Sequence, residues 1–429
     1  MTVKIGLVGT GTVGGGCLDI IAAHKEDFKR HYGIDLEVVR VCSRNPEQAV
    51  AHGVREIFTD DFHEILDDPS IQIVIELIGG TTFAKEVVMG ALAAGKNVVT
   101  ANKALMATSG DEILDLAEKM HREVAFEAAV GGGIPIIDPL KHSLFANQIT
   151  SVLGIVNGTT NYMLTRMAET GATYDDALLE AQDKGFAEAD PTADVDGLDA
   201  AAKIAILASI AFNSRVTLDQ VPAEGIRLIA PVDFQVARDM GYVIKLLAVG
   251  NSLPEGVDVR VHPTMVPVDH PLAGVNGVFN AIYVVGDAVG ETMFLGEGAG
   301  SGPAASAVMG DVLEVARHVQ ADIAPWASRA TYDDLPLVPM DELSMSYYIR
   351  FVVEDRSGVL ASTAEVFARH GVSISSMVQR GRGEGASADL VYITHTALER
   401  DIQQALSEIE ELEGVLVDNS EPTVIRILS

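Results

Sequence analysis

VKIGLVGTGTVGGG, residues 3–16, decides the fold of the first part of the chain. An apolar run ends at Gly9, two more glycines follow as Gly11 and Gly14, and Gly15 and Gly16 lead into a helical pattern that runs to about Arg30. Glycines at this spacing, after a strand and at the head of a helix, form a dinucleotide fingerprint. The first permits the tight turn, the second lets the backbone approach a pyrophosphate, and the third allows close helix packing, while the helix N-terminus favours the anion. Gly9, Thr10, Gly11, Thr12, Val13 and Gly14 are therefore the expected cofactor contacts.

The pattern continues outward from this turn. LEVVRVCS, a helix near Gln48, IQIVIELIG, a helix over 84–94, NVVTAN, a helix over 111–121 and EVAFEAAV alternate through residue 130. Strand and helix in alternation predict a doubly wound parallel sheet of Rossmann type, with its ligand at the carboxyl ends of the strands. A strand that serves the ribose hydroxyls of NAD commonly ends in an acidic residue. Here the second strand ends Cys42-Ser43-Arg44-Asn45, and Arg44 suits a 2′-phosphate. NADP is expected, with NAD left open; the plainer reading of Arg44 is a solvated surface charge.

After residue 130 the rhythm changes. ITSVLGIVN, YVIKLLAVG, VDVRVHPTMV and FNAIYVVGD, separated by two helices around 160–212, predict an α+β domain with an antiparallel sheet over 131–299. A glycine-rich turn then opens a helix that returns the chain to the nucleotide domain over 300–328. Residues 330–345, with Pro336 and Pro339, read as a linker. Beyond it, SYYIRFVVE, a helix over 358–370, VSISSMVQR, ADLVYITHT, a helix over 399–412 and a final strand make a ferredoxin-like βαββαβ unit over 346–429.

Composition limits the function classes. A chain of 429 residues, 48% hydrophobic, has the material for several full cores. Its formal charge of −31 argues against nucleic acid or an anionic membrane as partner. A strand begins at once and no stretch approaches the ~18 apolar residues of a membrane span, so a cytoplasmic protein is expected. Cys17 and Cys42 are too few for a disulfide framework or a cysteine metal site and read as small core residues.

A second informative stretch is AQDKGFAEADPTADVDGLDAAAK, residues 181–203. Lys203 sits among Ile204, Ile206, Leu207 and Ile210 on a helix apolar over most of its circumference, and a buried ammonium needs a partner or a job. Asp199 precedes it by one turn, and Glu188, Asp190, Asp194 and Asp196 crowd the feeding loop, a set suited to a small cationic substrate. Spacing alone also fits an ordinary helix ion pair worth about 0.2–0.5 kcal/mol.

With a dinucleotide fold ahead of it, this stretch resembles the homoserine dehydrogenase family. Ala181, Gly185, Asp190, Pro191, Asp194, Gly197, Asp199 and Lys203 fill each place of the family's diagnostic run. ELIGGTT (76–82), VVTANKALMA (98–107), EAAVGGGIPII (127–137), GIVNGTTNYML (154–164) and GEGAGSGPAASAV (296–308) are similar to further family blocks, so the resemblance spans 1–328. Phe186 departs from it, standing where family members often carry a tyrosine.

The resemblance implies hydride transfer between a nicotinamide and the terminal carbon of L-homoserine or L-aspartate 4-semialdehyde, in threonine, methionine and isoleucine biosynthesis. It gives Lys103 and Lys203 as the two site lysines, with Asp199 orienting them. Glu188, Asp194, Asn157, Gly158 and Thr159 would meet the substrate, and Gly80, Thr81, Thr100, Lys103 and Gly300 the cofactor. It also implies a monovalent cation such as Na+ at Glu127 and the carbonyls of Val130, Gly132 and Ile134, hard oxygen donors suited to a hard ion. A homodimer or homotetramer of the monofunctional enzyme is expected.

The C-terminal unit resembles an ACT domain, a regulatory amino-acid-binding module; EDRSGVLASTAEVFARHGVSI (354–374) matches its first strand, loop and helix. L-Threonine is the effector expected, and because the catalytic resemblance is complete before the linker, the module is expected to be separable. Reduction of an aspartyl phosphate would need a cysteine nucleophile in the catalytic domain, and both cysteines lie in the nucleotide half. A catalytically silent amino-acid sensor is disfavoured by the presence of both lysines.

Overall fold

The structure, a computed structural model, describes residues 1–323, 332–381, 387–417 and 420–428. Residues 324–328 of the expected return segment, 330–331 of the expected linker, and 382–386, 418–419 and 429 of the expected C-terminal module lie outside them. In chain order the elements are β1 (Thr2–Val8), α1 (Thr12–Asp27), β2 (Asp35–Cys42), α2 (Pro46–Ala51), β3 (Phe58–Thr59), α3 (His63–Leu66), β4 (Ile73–Glu76), α4 (Thr82–Ala93), β5 (Asn97–Thr100), α5 (Lys103–Met120), β6 (Val124–Ala125), β7 (Ile149–Ile155), α6 (Gly158–Thr170), α7 (Tyr174–Asp183), α8 (Thr192–Val195) and α9 (Leu198–Ala211). They continue with α10 (Pro231–Asp239), β8 (Tyr242–Leu253), β9 (Gly256–Pro267), β10 (Phe279–Gly286), β11 (Gly290–Glu297), α11 (Ser301–Ala321), β12 (Ser344–Glu354), α12 (Val359–Arg369), β13 (Ile374–Gly381), β14 (Ser387–Thr394), β15 (Ala397–Leu398), α13 (Glu399–Glu410) and β16 (Thr423–Ile427).

Two compact units result: residues 1–152, 202–221 and 280–335 form the first, and 153–201, 222–279 and 336–429 the second. In the first unit a six-stranded sheet has the order β3-β2-β1-β4-β5-β6, and its pairs run parallel. This is the doubly wound topology read from the glycine turn, with the order reversing beside β1, where such sheets bind ligands. Val3, Ile5, Leu7, Ile73 and Ile75 of the central strands are buried with Leu18 and Cys17 of α1 and Ala305, Val308 and Val312 of α11. α11 thus packs into the core formed by the first strands. Burial pushes the Cys17 thiol up to about 12, so it is a packing group and not a nucleophile.

The second unit contains the strand order β8-β9-β16-β12-β14-β13. The portion β16-β12-β14-β13, with α12 and α13, is the ferredoxin-like arrangement expected. Antiparallel pairing was expected throughout the preceding domain's sheet, and β8 and β9 do pair that way, but β16 joins β9 in parallel, Arg426 opposite Thr264 and Ile427 opposite Met265. The sheet is therefore mixed, because the last strand of the C-terminal unit supplies the next edge to β9. Three principal helices, α6, α7 and α9, stand where the periodicity predicts two. Thr173 caps α7 by accepting from the Asp176 amide, dividing the run. No helix among the described residues is long and apolar enough to cross a membrane.

Candidate functional site

The glycine turn is constrained by close contact. Gly9 has φ +106°, and a Cβ there would lie 2.6 Å from the Leu77 carbonyl oxygen; one on Gly14 would lie 2.0 Å from the Gly9 oxygen. Gly11, by contrast, faces open space, leaving its backbone accessible to a ligand. The turn is tied to the end of β2: the Gly9 amide donates to Cys42 O at 2.8 Å and Thr10 Oγ1 to Gln48 Oε1 at 3.1 Å. Arg44 is exposed in that same connection, where Asn45 caps α2 by accepting from the Glu47 amide at 3.0 Å. Ser301 Oγ donates to Thr12 O at 2.9 Å, which brings Gly300, at φ +126°, to the head of α1. These backbone amides and open spaces fit a dinucleotide.

A second network fixes the carboxyl ends of β4 and β5. Glu76 is fully buried and accepts from the Ile78 amide and Thr100 Oγ1, both at 2.7 Å. Thr100 Oγ1 accepts in turn from the Asn102 amide at 3.0 Å. Asn102 donates to Gly80 O at 2.7 Å and caps α5 by accepting from the Leu105 amide at 3.1 Å. Gly80, Thr81, Thr100 and Lys103 are thereby held along one edge of the sheet. The sequence reading missed Glu76 and Asn102, although a carboxylate ending an apolar strand and an asparagine before a helix are legible signals. It also began this helix at residue 111; the Asn102 cap starts it at Lys103, and Ser109, at φ −141°, kinks it.

Lys103 opens α5 and Lys203 lies on α9, buried at 8% exposure. Met106, Ala107 and Gly110 of α5 face Ile206, Ser209 and Ile210 of α9 across one small cavity. Farther along, Arg215, just past α9, pairs with Asp115 at 3.1 Å and Asp111 at 3.9 Å on α5. The two helices thus run side by side in the same direction. Both lysines precede the shared apolar patch by three residues, at the same end of the pair.

In the second unit Asn157 organises the loop before α9. Its carbonyl oxygen caps α6 by accepting from the Thr160 amide at 2.9 Å, while its NH2 donates to Asp194 at 2.7 Å and Asp199 at 2.9 Å. Asn157, Gly158, Asp194 and Asp199 are brought together. Thr159 Oγ1 donates to Phe186 O at 2.7 Å, pinning the segment that follows α7, and the Phe186 ring packs 4.9 Å from Tyr162. Glu188 is exposed on this segment; its main-chain oxygen accepts from Gln182 at 3.0 Å.

The expected cation residues occupy a tight loop of the first unit. Glu127 is buried, and its carboxylate accepts from the amides of Ile136, Ile137 and Asp138 at 2.6, 2.8 and 2.7 Å. Burial pushes its pKa above the usual carboxylate range, with those amides opposing. The Glu127 amide donates to Asp311 Oδ2 at 2.8 Å, and burial raises Asp311 to about 8. Gly131 and Gly132 are both left-handed, at φ +71° and +56°, which curls the loop bearing the Val130, Gly132 and Ile134 carbonyls.

Comparison with known proteins agrees with this architecture. Residues 9–127 match the homoserine dehydrogenase NAD binding domain, 135–313 the homoserine dehydrogenase domain, and 347–414 the ACT domain. A homoserine dehydrogenase of Synechocystis sp. is 45% identical over 438 residues, covering 100% of both chains. The crystal structure of a homoserine dehydrogenase from Thiobacillus denitrificans superposes with a TM-score of 0.93 at 41% identity, covering 100% of this chain and 99% of that one. A hyperthermophilic archaeal homoserine dehydrogenase in complex with NADPH superposes with a TM-score of 0.62 at 29% identity, covering 73% of this chain and 98% of its own. With a glycine turn shaped for a dinucleotide and full-length relatives of one activity, the chain belongs to the homoserine dehydrogenase family and is an NAD(P)-dependent oxidoreductase.

Proposed function

We propose that the enzyme interconverts L-aspartate 4-semialdehyde and L-homoserine with NADP as preferred cofactor, in the biosynthesis of threonine, methionine and isoleucine. When bound, the cofactor would supply hydride chemistry, giving a hydride in its reduced form and taking one in its oxidised form. The observation that carries the catalytic assignment is the packing of α5 against α9 in the same direction, with Lys103 and Lys203 each three residues ahead of the shared patch. When a carbonyl is reduced its oxygen must gain a proton, and on homoserine oxidation the hydroxyl must lose one. Lys203 moves that proton, Lys103 adds positive charge beside the reacting oxygen and the cofactor, and Asp199, one turn before Lys203, orients its ammonium. Asn157 holds Asp194 and Asp199 in register, so that Asp194 and Glu188 meet the substrate ammonium, with Gly158 and Thr159 at the head of α6 closing the pocket.

Support for NADP comes from Arg44, exposed in the turn tied to Gly9, and from the NADPH found with the archaeal relative. Glu127 with the carbonyls of Val130, Gly132 and Ile134 would hold a monovalent cation; an oxygen-only donor set fits such an ion, and the three amides on Glu127 fix its carboxylate for the purpose. L-Threonine acts through the ACT domain, as a downstream product would. A homo-oligomer is supported by the sheet-edge strand β11, which exposes Met293 and Leu295. The test is consumption of NADPH or NADH with aspartate semialdehyde: turnover with NADPH well above NADH supports the reading, and no semialdehyde-dependent consumption of either refutes it.

A further inference from the structure

We propose that residues 222–230 act as a strap through which the C-terminal module positions the loop carrying Asp194 and Asp199, an inference that rests on those carboxylates serving the substrate. The strap lies along β9: the Glu224 amide donates to Val261 O at 2.8 Å and the Val261 amide to Pro222 O at 2.9 Å. From there it makes two sets of contacts.

One set grips the C-terminal module. Arg426 of β16, 1% exposed, forms a two-pronged pair with the Glu224 carboxylate, one prong at 2.7 Å, and also donates to Glu399 of α13. Leu228 O accepts from Thr423 Oγ1 at 2.9 Å and from Arg350 at 3.0 Å. Arg350 is itself held by Asp233 at 2.6 Å, and Asp233 accepts from the Ala230 amide at 2.7 Å, closing the strap onto α10.

The other set grips the substrate loop. The Ile226 amide donates to Val195 O at 2.9 Å, and Arg227 makes two bonds to the Asp196 carboxylate, one at 3.2 Å. Between them Gly225 has no room for a side chain: a Cβ there would lie 2.1 Å from Val195 O and 2.6 Å from Asp196 Cα. Backbone is therefore stacked on backbone, and the strap cannot move toward the loop without displacing it. The buried pair of Arg426 with Glu399 contributes little net stability against an apolar filling, and what it does fix is the geometry of the guanidinium that reaches out to the half-exposed Glu224. Asp196 lies between Asp194 and Asp199, so a displaced strap changes the spacing of the carboxylates that Asn157 spans. Glu224, Gly225 and Arg426 are thus positioning residues, acting through the loop.

Hydrogen exchange of the full chain tests this without requiring activity. In Gly225→Ala and Arg426→Gln, amides of 190–199 should exchange at least tenfold faster than in the wild type, while those of α1 and β1 change less than twofold. In parallel, the KM for homoserine should rise about tenfold with the KM for NADP within twofold, a split that general destabilisation does not produce. Unchanged exchange over 190–199 in a folded variant, or equal acceleration everywhere, overturns the proposal. Where Arg426→Gln fails to fold, Gly225→Ala approaches the same seam from the strap, and Arg227→Gln tests it at an exposed pair. A wild type inactive on homoserine would refute the substrate reading alone, and the exchange pattern would still decide whether the strap positions the loop.

Discussion

The Asn157 side-chain amide lies 2.9 Å from the Asp199 carboxylate and joins the capped start of α6 to the first turn of the helix that carries Lys203. Its other N–H reaches Asp194 at 2.7 Å. Asn157→Ala removes both bonds to charged acceptors, each worth about 1.5–3 kcal/mol, and takes their shared donor from the two carboxylates. Steady-state kinetics should show kcat/KM for homoserine reduced by at least about tenfold, with NADP affinity unchanged.

Arg44 is exposed beside the glycine turn. If its guanidinium reads a 2′-phosphate, Arg44→Ala weakens NADPH by about 1.5–3 kcal/mol and leaves NADH nearly unaffected. Fluorescence titration with both cofactors distinguishes this from equal losses, which would remove Arg44 from cofactor recognition.

Lys245, 3% exposed, donates to Asn161 Oδ1 at 3.3 Å, Asn276 Oδ1 at 3.0 Å and Val275 O. Burial lowers it from 10.5 to about 8. Between those two values the unfolded chain keeps the proton and the folded chain releases it, so this group makes stability rise with pH across that window. Denaturant unfolding should show the wild type gaining on Lys245→Met from pH 8 to 10.5, by up to about 3 kcal/mol. The variant should be the less stable protein throughout, because it leaves buried oxygens without a donor.

The sequence reads the C-terminal module as separable, and the structure alters that expectation. Arg350 and Asp233 are buried together across the two parts, and β16 supplies a neighbour to β9. Deleting 346–429 takes the Tyr348 and Arg350 partners away from Asp233 together with residues that pack there, and uncovers the edge of β9. Thermal melting of the truncated chain should show a clear fall, accompanied by a raised KM for homoserine.

Legibility followed the range over which a residue acts. Glycine spacing, strand alternation and the 181–203 run act locally or carry fixed spacing, and they made the parallel sheet, its return helix and the βαββαβ unit readable. What the sequence hid depends on partners far along the chain. Glu76 is legible as a carboxylate ending an apolar strand, but its partner Thr100 is not, and the mixed sheet arises because Arg426 and Ile427 register with Thr264 and Met265, about 160 residues away. Glu188, grouped by sequence with its neighbouring carboxylates, is exposed on the segment after α7, where its main-chain oxygen accepts from Gln182.

The most direct test of the account is single-turnover reduction of aspartate semialdehyde by NADPH in Lys203→Ala, with NADPH binding measured on the same preparation. Proton transfer by Lys203 predicts a rate at least about a hundredfold lower, with NADPH affinity within twofold of the wild type. A near-normal rate would contradict it.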